Sequence, residues 1–220
     1  MAKGITETDA FVLFWGGWPS QWHPARFAVG GVEYNCCEQY MMAEKARVFG
    51  DADALAEILA ADSPRTQKAI GRRVKGFDAA TWDSVCRGII YAGNLARFSQ
   101  DADMRQALLS TGDRTIVEAS PTDRIWGIGL AQDDPKAQDP AQWRGTNWLG
   151  VALMQVRETL RAAAEGREAK LDDWLAGQLD RRQQLPAPPG LHSLSPVPRG
   201  ERRDEGLAFS PLSPCGRGLG

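Results

Sequence analysis

The spacing of apolar residues changes twice along the first third of the chain, and each change predicts an element. Residues 11–24 are aromatic and rich in turn formers, without a regular period. Residues 27–34, FAVGGVEY, place two glycines between short β-prone runs, which predicts a hairpin. From residue 37 to residue 49 the spacing becomes helical, and Gly50 provides a C-terminal stop.

Helical spacing then dominates up to about residue 109. Asp51 begins a second helix. Ser63 followed by Pro64 is typical of an N-cap and the first position of a third helix, which we expect to run through residue 74. Two more helices are expected over residues 79–98 and 103–109.

The remaining pattern predicts one more strand and one more helix. Residues 115–119, TIVEA, are the clearest late strand, and the glycine-punctuated residues 123–130 predict a loop or short strand. Asn147 is a candidate N-cap for a final amphipathic helix. We therefore predict a mainly α protein with a small β component (α+β), built as a single compact domain.

The character of the sequence changes after residue 166. We expect a domain over residues 1–166, a charged helical extension over 167–183 and a disordered tail over 184–220. The tail is rich in Pro, Gly, Ser and Arg and repeats itself, with LSPVPRG at 194–200 and LSPCGRG at 212–218. Such a composition cannot bury enough apolar surface to offset its ordering entropy.

Composition narrows the functional class. With 43% apolar residues and a net charge of -2, nothing global indicates a nucleic-acid or membrane partner. We expect no signal peptide and no membrane span, hence a cytoplasmic protein. The four cysteines, two of them adjacent, predict reduced thiols rather than a disulfide framework. The oligomeric state is left open.

Several kinds of site are excluded by what the sequence lacks. The two histidines are His23 and His192, too few for HExxH or multi-histidine zinc sites, so we predict no metal and no cofactor. The phosphate loop GxxxxGK[ST], the dinucleotide fingerprint GxGxxG and the nucleophile elbow GxSxG are also absent. A Cys36 or Cys37 nucleophile with His23 as base is an alternative.

Carboxylates near turns are the first candidates for chemistry. Glu38 lies near the start of a predicted helix with Lys45 at i+7, so the two share a helix face. The alternative is a surface pair, or a glutamate favoured by the helix dipole. Asp123 and Trp126 lie in a glycine-rich segment that a ligand can approach closely, although aspartate is also a common turn residue there.

Aromatic and basic residues complete the candidates. Trp82 is a platform for a base or, alternatively, a core residue. Lys68, Arg72 and Arg73 form a basic cluster that binds phosphate or is simply solvated. The pattern does not separate pocket-lining from packing among the three tryptophans of the first segment: Trp15, Trp18 and Trp22.

Six ordered motifs over residues 11–160 resemble the YbiA-like, or NADAR, family. They read FWGGWPSQWHPARF, GVEYNCCEQYMMAEKARVFGD, KAIGRRVKGFDAATWDSV, NLARFSQD, LLSTGDRTIVEASPTDRIWGIGL and WRGTNWLGVALMQVR. The resemblance implies a YbiA-like fold and an N-glycosidase that cleaves a C1′–N bond beside a phosphorylated ribose. The first motif departs from the family's L-S-N-F form, which affects which base is recognised.

The resemblance also implies roles, carried over motif by motif. It implies that three residues are catalytic: Glu38, Asp123 and Trp82. It implies substrate contacts from Lys45, Arg72 (with Gly71 before it), Trp126 and Asn147, to which the pocket candidates Lys68 and Trp22 are added.

The implied substrate is a small nucleotide-like molecule. Riboflavin-pathway ribosylamino-pyrimidine phosphates are the first choice, and hydrolysis gives a free base and ribose 5-phosphate. One alternative is removal of ADP-ribose from guanine bases, the only case in which nucleic acid would be a partner. Another is a module that binds NAD or ADP-ribose without chemistry.

Overall fold

The structure is a computed structural model that describes residues 4–164 of the 220-residue chain. Helices dominate it. They are α1 (Cys37–Val48), α2 (Ala52–Ala60), α3 (Pro64–Gly71), α4 (Ala79–Gln100), α5 (Ala102–Leu109) and α6 (Trp148–Ala164), with 3-10 turns at Pro135–Gln138 and Pro140–Gln142. The predicted extension and tail, 167–183 and 184–220, lie outside the described residues.

Five short strands form two sheets within the described part. They are β1 (Ile5–Glu7), β2 (Phe11–Phe14), β3 (Phe27–Val29), β4 (Val32–Tyr34) and β5 (Thr115–Glu118). The larger sheet has the order β1-β2-β5, with β1 antiparallel and β5 parallel to β2. The mainly helical fold with a small β component is thus confirmed.

The hairpin β3–β4 confirms the prediction made from its two glycines. Gly30 and Gly31 have φ angles of +59° and +78°, the left-handed conformation that a two-residue hairpin turn requires at both positions. The strands pair antiparallel, with Phe27 opposite Tyr34. Both of these rings are buried and pack against Tyr40 of α1, so the hairpin is tied to the core.

Local capping chemistry sets the helix starts close to their predicted positions. The Asp51 side chain accepts from Ala54 N at the start of α2, and the Ser63 hydroxyl accepts from Thr66 N at the start of α3. The third helix ends at Gly71, three residues short of the predicted end at residue 74. Its close packing on α1 explains the glycine, because a Cβ there would lie 2.0 Å from Met42 Sδ.

The main core lies between the helices and the larger sheet. Its buried members come from α1, α4 and α6 together with β2 and β5, among them Phe14, Tyr40, Leu95, Ile116 and Leu153. A smaller cluster packs on the other face of β2 and β5. Of the helices described, none is both long and apolar enough to cross a membrane.

Strands β1 and β2 were not predicted from the sequence. The run Phe11–Phe14 is continuously apolar because β2 is covered on both faces, so it lacks the alternation that marks a half-buried strand. Its parallel partner β5 comes from the far end of the domain, which no local pattern reveals.

Candidate functional site

A small cavity lies where α1, α3, α4 and the loops after β2 and β5 meet. Its volume is about 50 Å³. It is lined by Ser20, Gln21, Trp22, Glu38, Met41, Lys68, Ile90, Glu118, Asp123 and Trp126. Three carboxyl groups, one ammonium group and two indoles therefore converge on one space, and five of these six groups were predicted site residues.

Glu38 lies in the first turn of α1 with its side chain almost fully buried. Its backbone N–H donates to Gln21 O (3.0 Å), and its Oε2 accepts from Trp22 Nε1 (3.2 Å). Its Oε1 is buried without a hydrogen-bond partner. Burial raises the pKa of Glu38, and the positive charge of Lys68 and the Trp22 bond oppose that rise.

Glu118, the last residue of β5, is the site residue that sequence reasoning missed. Its Oε2 is buried without a partner, and burial raises its pKa to about 8, helped by the nearby charge of Asp123 and opposed by Lys68. The available signal was a carboxylate inside the apolar strand TIVE, directly before a loop that already held two candidates.

The loop after β5 holds Asp123 and Trp126 in the cavity wall. Asp123 Oδ1 accepts from Ile125 N (2.9 Å) and Trp126 N (2.8 Å), so Asp123 does form the turn that was its alternative role. A Cβ at Gly127 would lie 2.8 Å from Glu118 O, which shows how tightly this loop packs on the end of β5. Turn formation and a place in the cavity wall are thus combined in one residue.

The basic cluster at the C-terminal end of α3 divides between the cavity and solvent. Lys68 lines the cavity, with its Nζ 5.7 Å from the centroid of the Trp22 ring. Arg72 is exposed, yet its charge is near enough to lower the pKa of Glu38. Arg73 forms an exposed ion pair with Glu57 (3.4 Å). Lys68 and Arg72 therefore provide the positive charge beside the cavity.

Lys45 and Trp82 form a second group that does not line the cavity. The Lys45 ammonium lies 4.1 Å from the Phe77 ring centroid and 5.7 Å from the Trp82 ring centroid. Burial lowers the pKa of Lys45. Trp82 also packs on the edge of the core, its alternative role.

Asn147 is buried and joins β5 to the start of α6. Its Oδ1 accepts from Glu118 N (3.0 Å) and its Nδ2 donates to Ile116 O (2.9 Å). Its φ of +53° lies in the left-handed region, which is atypical of an N-cap. The amide therefore holds the strand end that carries Glu118.

A buried arginine fixes the loop that carries Trp22. Arg97 of α4 has no exposed surface, and its guanidinium donates to Ser20 O (2.9 Å), Pro19 O (3.4 Å) and Asn94 Oδ1 (3.0 Å). Gln21 Nε2 donates to the same Asn94 oxygen (3.1 Å). This network positions the Trp22 indole against Glu38.

The three N-terminal tryptophans have separate roles. Trp15 is 61% exposed, whereas Trp18 packs edge-on against Phe98 at 5.9 Å between ring centroids. Trp22 alone among them lines the cavity.

The adjacent cysteines are buried free thiols. Burial raises the pKa of Cys36, and it raises the pKa of Cys37 to about 11, which keeps both protonated and argues against the Cys-His alternative. Cys86 is also free, and Cys215 lies outside the described residues. Across residues 4–164, no three His, Cys, Asp or Glu side chains are arranged to hold a metal ion.

A larger open groove of about 1000 Å³ runs between α4 and α6. Trp126 belongs to its lining as well as to the wall of the small cavity. Within the groove Trp148 packs edge-on against Trp126 and carries the Arg87 guanidinium over its ring at 4.6 Å. The two spaces therefore share one indole.

Comparison with known proteins identifies the family to which this chain belongs. The chain is 41% identical over 165 residues to N-glycosidase R617 of Acanthamoeba polyphaga mimivirus, covering 69% of this chain and 97% of that protein. It is 36% identical over 125 residues to the maize chloroplastic riboflavin biosynthesis protein PYRR, covering 53% of this chain and 18% of that protein.

The fold is similar to a solved structure as well. The NMR structure of YbiA from E. coli, a protein named N-glycosidase YbiA, superposes with a TM-score of 0.60 at 27% identity, over 76% of this chain and 92% of that one. The predicted YbiA-like fold is thereby confirmed. The model of the NADAR domain matches residues 13–161, more than half of the sequence, and the chain therefore belongs to the NADAR domain family.

Proposed function

We propose that this protein is a hydrolase that cleaves the C1′–N bond of a phosphorylated ribosyl base. The proposed substrates are riboflavin-pathway ribosylamino-pyrimidine phosphates, and the products are the free base and ribose 5-phosphate. The names of the mimivirus and E. coli relatives support the reaction, and that of the maize relative supports the substrate. The observation that carries the proposal is the buried Glu38 carboxyl, with one oxygen unpartnered in the cavity.

Glu38 is suited to the reacting carbon. Cleavage of an N-glycosidic bond leaves positive charge on the ribose, and a nearby carboxylate stabilises that charge or activates the attacking water. The Trp22 N–H holds Oε2, which leaves Oε1 for the water or the sugar. Asp123 uses Oδ1 in its turn and places its carboxyl in the same wall, where it orients the sugar or assists the water.

The volume of the cavity supports a position for the substrate that is mostly outside it. About 50 Å³ accommodates one or two water molecules at roughly 30 Å³ each, and a nucleotide needs several times more. The cavity is therefore the water and anomeric-carbon end of the site. The base and the phosphate lie at its mouth, where Trp22 is 40% exposed.

Binding of the base and the phosphate follows from the groups around that mouth. The indoles of Trp22 and Trp126 offer stacking faces, each worth about 1–3 kcal/mol toward a base. Lys68 on α3 and Arg72 directly after that helix supply charge for the phosphate. Lys45 lies on the same face of α1 as Glu38, two turns further along, and Trp82 lies on α4. Both residues are proposed to contact outer parts of the substrate.

One observation favours the alternative substrate, ADP-ribose attached to guanine. The groove of about 1000 Å³ adjoins the cavity at Trp126 and has room for a second nucleotide unit. That substrate is cleaved at the same kind of C1′–N bond, so the assignment of Glu38 is unchanged.

The test compares wild type with Glu38→Gln on both substrates, with released base measured by mass spectrometry. Wild type is expected to release base from the ribosylamino-pyrimidine phosphate, and Glu38→Gln to be at least about 100-fold slower. Glu33→Gln is the matched control, because Glu33 is an exposed glutamate on β4. Release from ADP-ribosyl-guanosine alone would move the substrate assignment to the alternative. Tight binding of ADP-ribose with no release from either would leave a binding module and refute the hydrolase.

A further inference from the structure

The two glutamates of the cavity each have one buried oxygen without a partner, Glu38 Oε1 and Glu118 Oε2, but they differ in the donors around them. Glu38 Oε2 accepts from the Trp22 indole, and Asp123 Oδ1 accepts from two backbone N–H groups. The Trp22 bond opposes the rise that burial causes in the pKa of Glu38. Glu118 Oε2 is buried with no donor, at the end of a strand fixed by Asn147 and β2.

N-glycoside hydrolysis needs a proton donor as well as a carboxylate. When the C1′–N bond breaks, its electron pair goes to the nitrogen, and an unprotonated nitrogen is a poor leaving group. Two carboxyl groups in different environments are the usual way to supply both functions, one ionised and one neutral.

We propose that Glu118 is the general acid of this site and protonates the departing nitrogen while Glu38 acts as the carboxylate. The assignment rests on the proposed N-glycosidase function. Glu118 lines the same cavity as Glu38, Lys68 and Asp123, so both glutamates border the space proposed for the anomeric carbon.

The step balances with water as the only co-reactant. The C1′–N bond breaks, the electron pair stays on nitrogen, and the nitrogen takes the Glu118 proton. Water oxygen bonds to C1′ and gives its proton to Glu38. Exchange with solvent returns Glu38 to the ionised form and Glu118 to the neutral form.

The charges that face Glu118 are consistent with a neutral acid. Glu38 on α1 and Asp123 in the loop after β5 disfavour a further negative charge, and Lys68 on α3 opposes them. Burial is the largest influence, and it raises the pKa of Glu118 to about 8, so Glu118 is mostly protonated at neutral pH. Activity on the ribosylamino-pyrimidine phosphate should fall as the pH rises through that value.

The experiment separates acid catalysis from other roles by changing the leaving group. Wild type, Glu118→Gln and the control Glu33→Gln are assayed on the ribosylamino-pyrimidine phosphate and on 4-nitrophenyl riboside 5-phosphate. The second leaving group departs as a stable phenolate and needs no proton. Glu118→Gln should lose about 10²- to 10⁴-fold on the first substrate and less than about 10-fold on the second.

Two further readouts keep the assignment falsifiable. Equal losses on both substrates would overturn it, because they indicate damage to binding or folding rather than loss of a proton. The wild-type pH profile tests it without any variant: a fall at high pH is expected for the first substrate and not for the second, and identical profiles would refute it. Failure of wild type to release base from both the ribosylamino-pyrimidine phosphate and ADP-ribosyl-guanosine would instead refute the N-glycosidase proposal itself.

Discussion

Asn147 provides the sharpest test of how this fold holds its site, because one buried amide satisfies two backbone groups of β5. Asn147→Ala would leave Glu118 N and Ile116 O unpaired, and each unpaired buried group costs about 1–3 kcal/mol. Alanine at a φ of +53° adds roughly 1 kcal/mol of backbone strain. The expected loss is about 3–7 kcal/mol, a large part of the total stability of a typical domain, which is about 5–15 kcal/mol.

Two companion variants separate the contributions. Asn147→Gly accepts the left-handed backbone but lacks the amide, so it should be more stable than Asn147→Ala by roughly 1 kcal/mol. Asn147→Asp keeps an acceptor for Glu118 N but cannot donate to Ile116 O, so its loss should remain well above that of a surface substitution.

Urea unfolding followed by circular dichroism gives the free energies, with thermal melting as a second measure. A loss of 3 kcal/mol corresponds to a Tm lower by about 6–12 °C for a domain of this size. If Asn147→Ala cost less than about 1 kcal/mol, or if glycine were no better than alanine, the account of this amide would be wrong.

Three other predictions follow from the site and its packing. The pKa of Glu118 is raised to about 8 in the folded protein, so the folded protein keeps a proton that the unfolded chain releases near pH 4.5. The free energy of unfolding should therefore fall as the pH rises between these values. Urea unfolding at pH 5 and pH 8 should show a smaller difference for Glu118→Gln than for wild type. Gly71→Ala should cost about 1–3 kcal/mol by urea unfolding, since the new Cβ would displace the Met42 side chain; an unchanged midpoint would contradict the packing. Trp22→Phe removes the N–H that lowers the pKa of Glu38, so the acid limb of the kcat/KM profile should move to higher pH, and an unmoved limb would show that Glu38 is not the group titrating there.

Sequence reasoning succeeded where the physics is local. Gly30 and Gly31 predicted a hairpin because the turn needs two left-handed residues in a row. Asp51 and Ser63 predicted helix starts because their side chains accept from backbone N–H groups three residues on. The residues that make each of these features lie within four or five positions of one another in the sequence.

The parts that were missed depend on distant partners. The amide of Asn147 was interpreted as a helix cap, and only the folded chain shows that it pairs with β5. Glu118 appeared to be an ordinary strand residue until its neighbours in the cavity were known. In contrast, Glu38, Asp123 and Trp126 were already candidates from their residue types and local context. The ordered motifs, which carry information about a whole fold, then implied their roles.

The parallel pairing of β2 with β5 has a consequence for synthesis of the protein on the ribosome. Glu38 and Lys68 leave the ribosome early, whereas Glu118, Asp123 and Trp126 follow only after the whole of α4 and α5. The edge of β2 that pairs with β5 stays unpaired until β5 has been synthesised. A nascent chain that stops before β5 therefore carries seven of the ten residues that line the cavity. We expect such a chain to be inactive, and activity to begin only when the two distant segments meet.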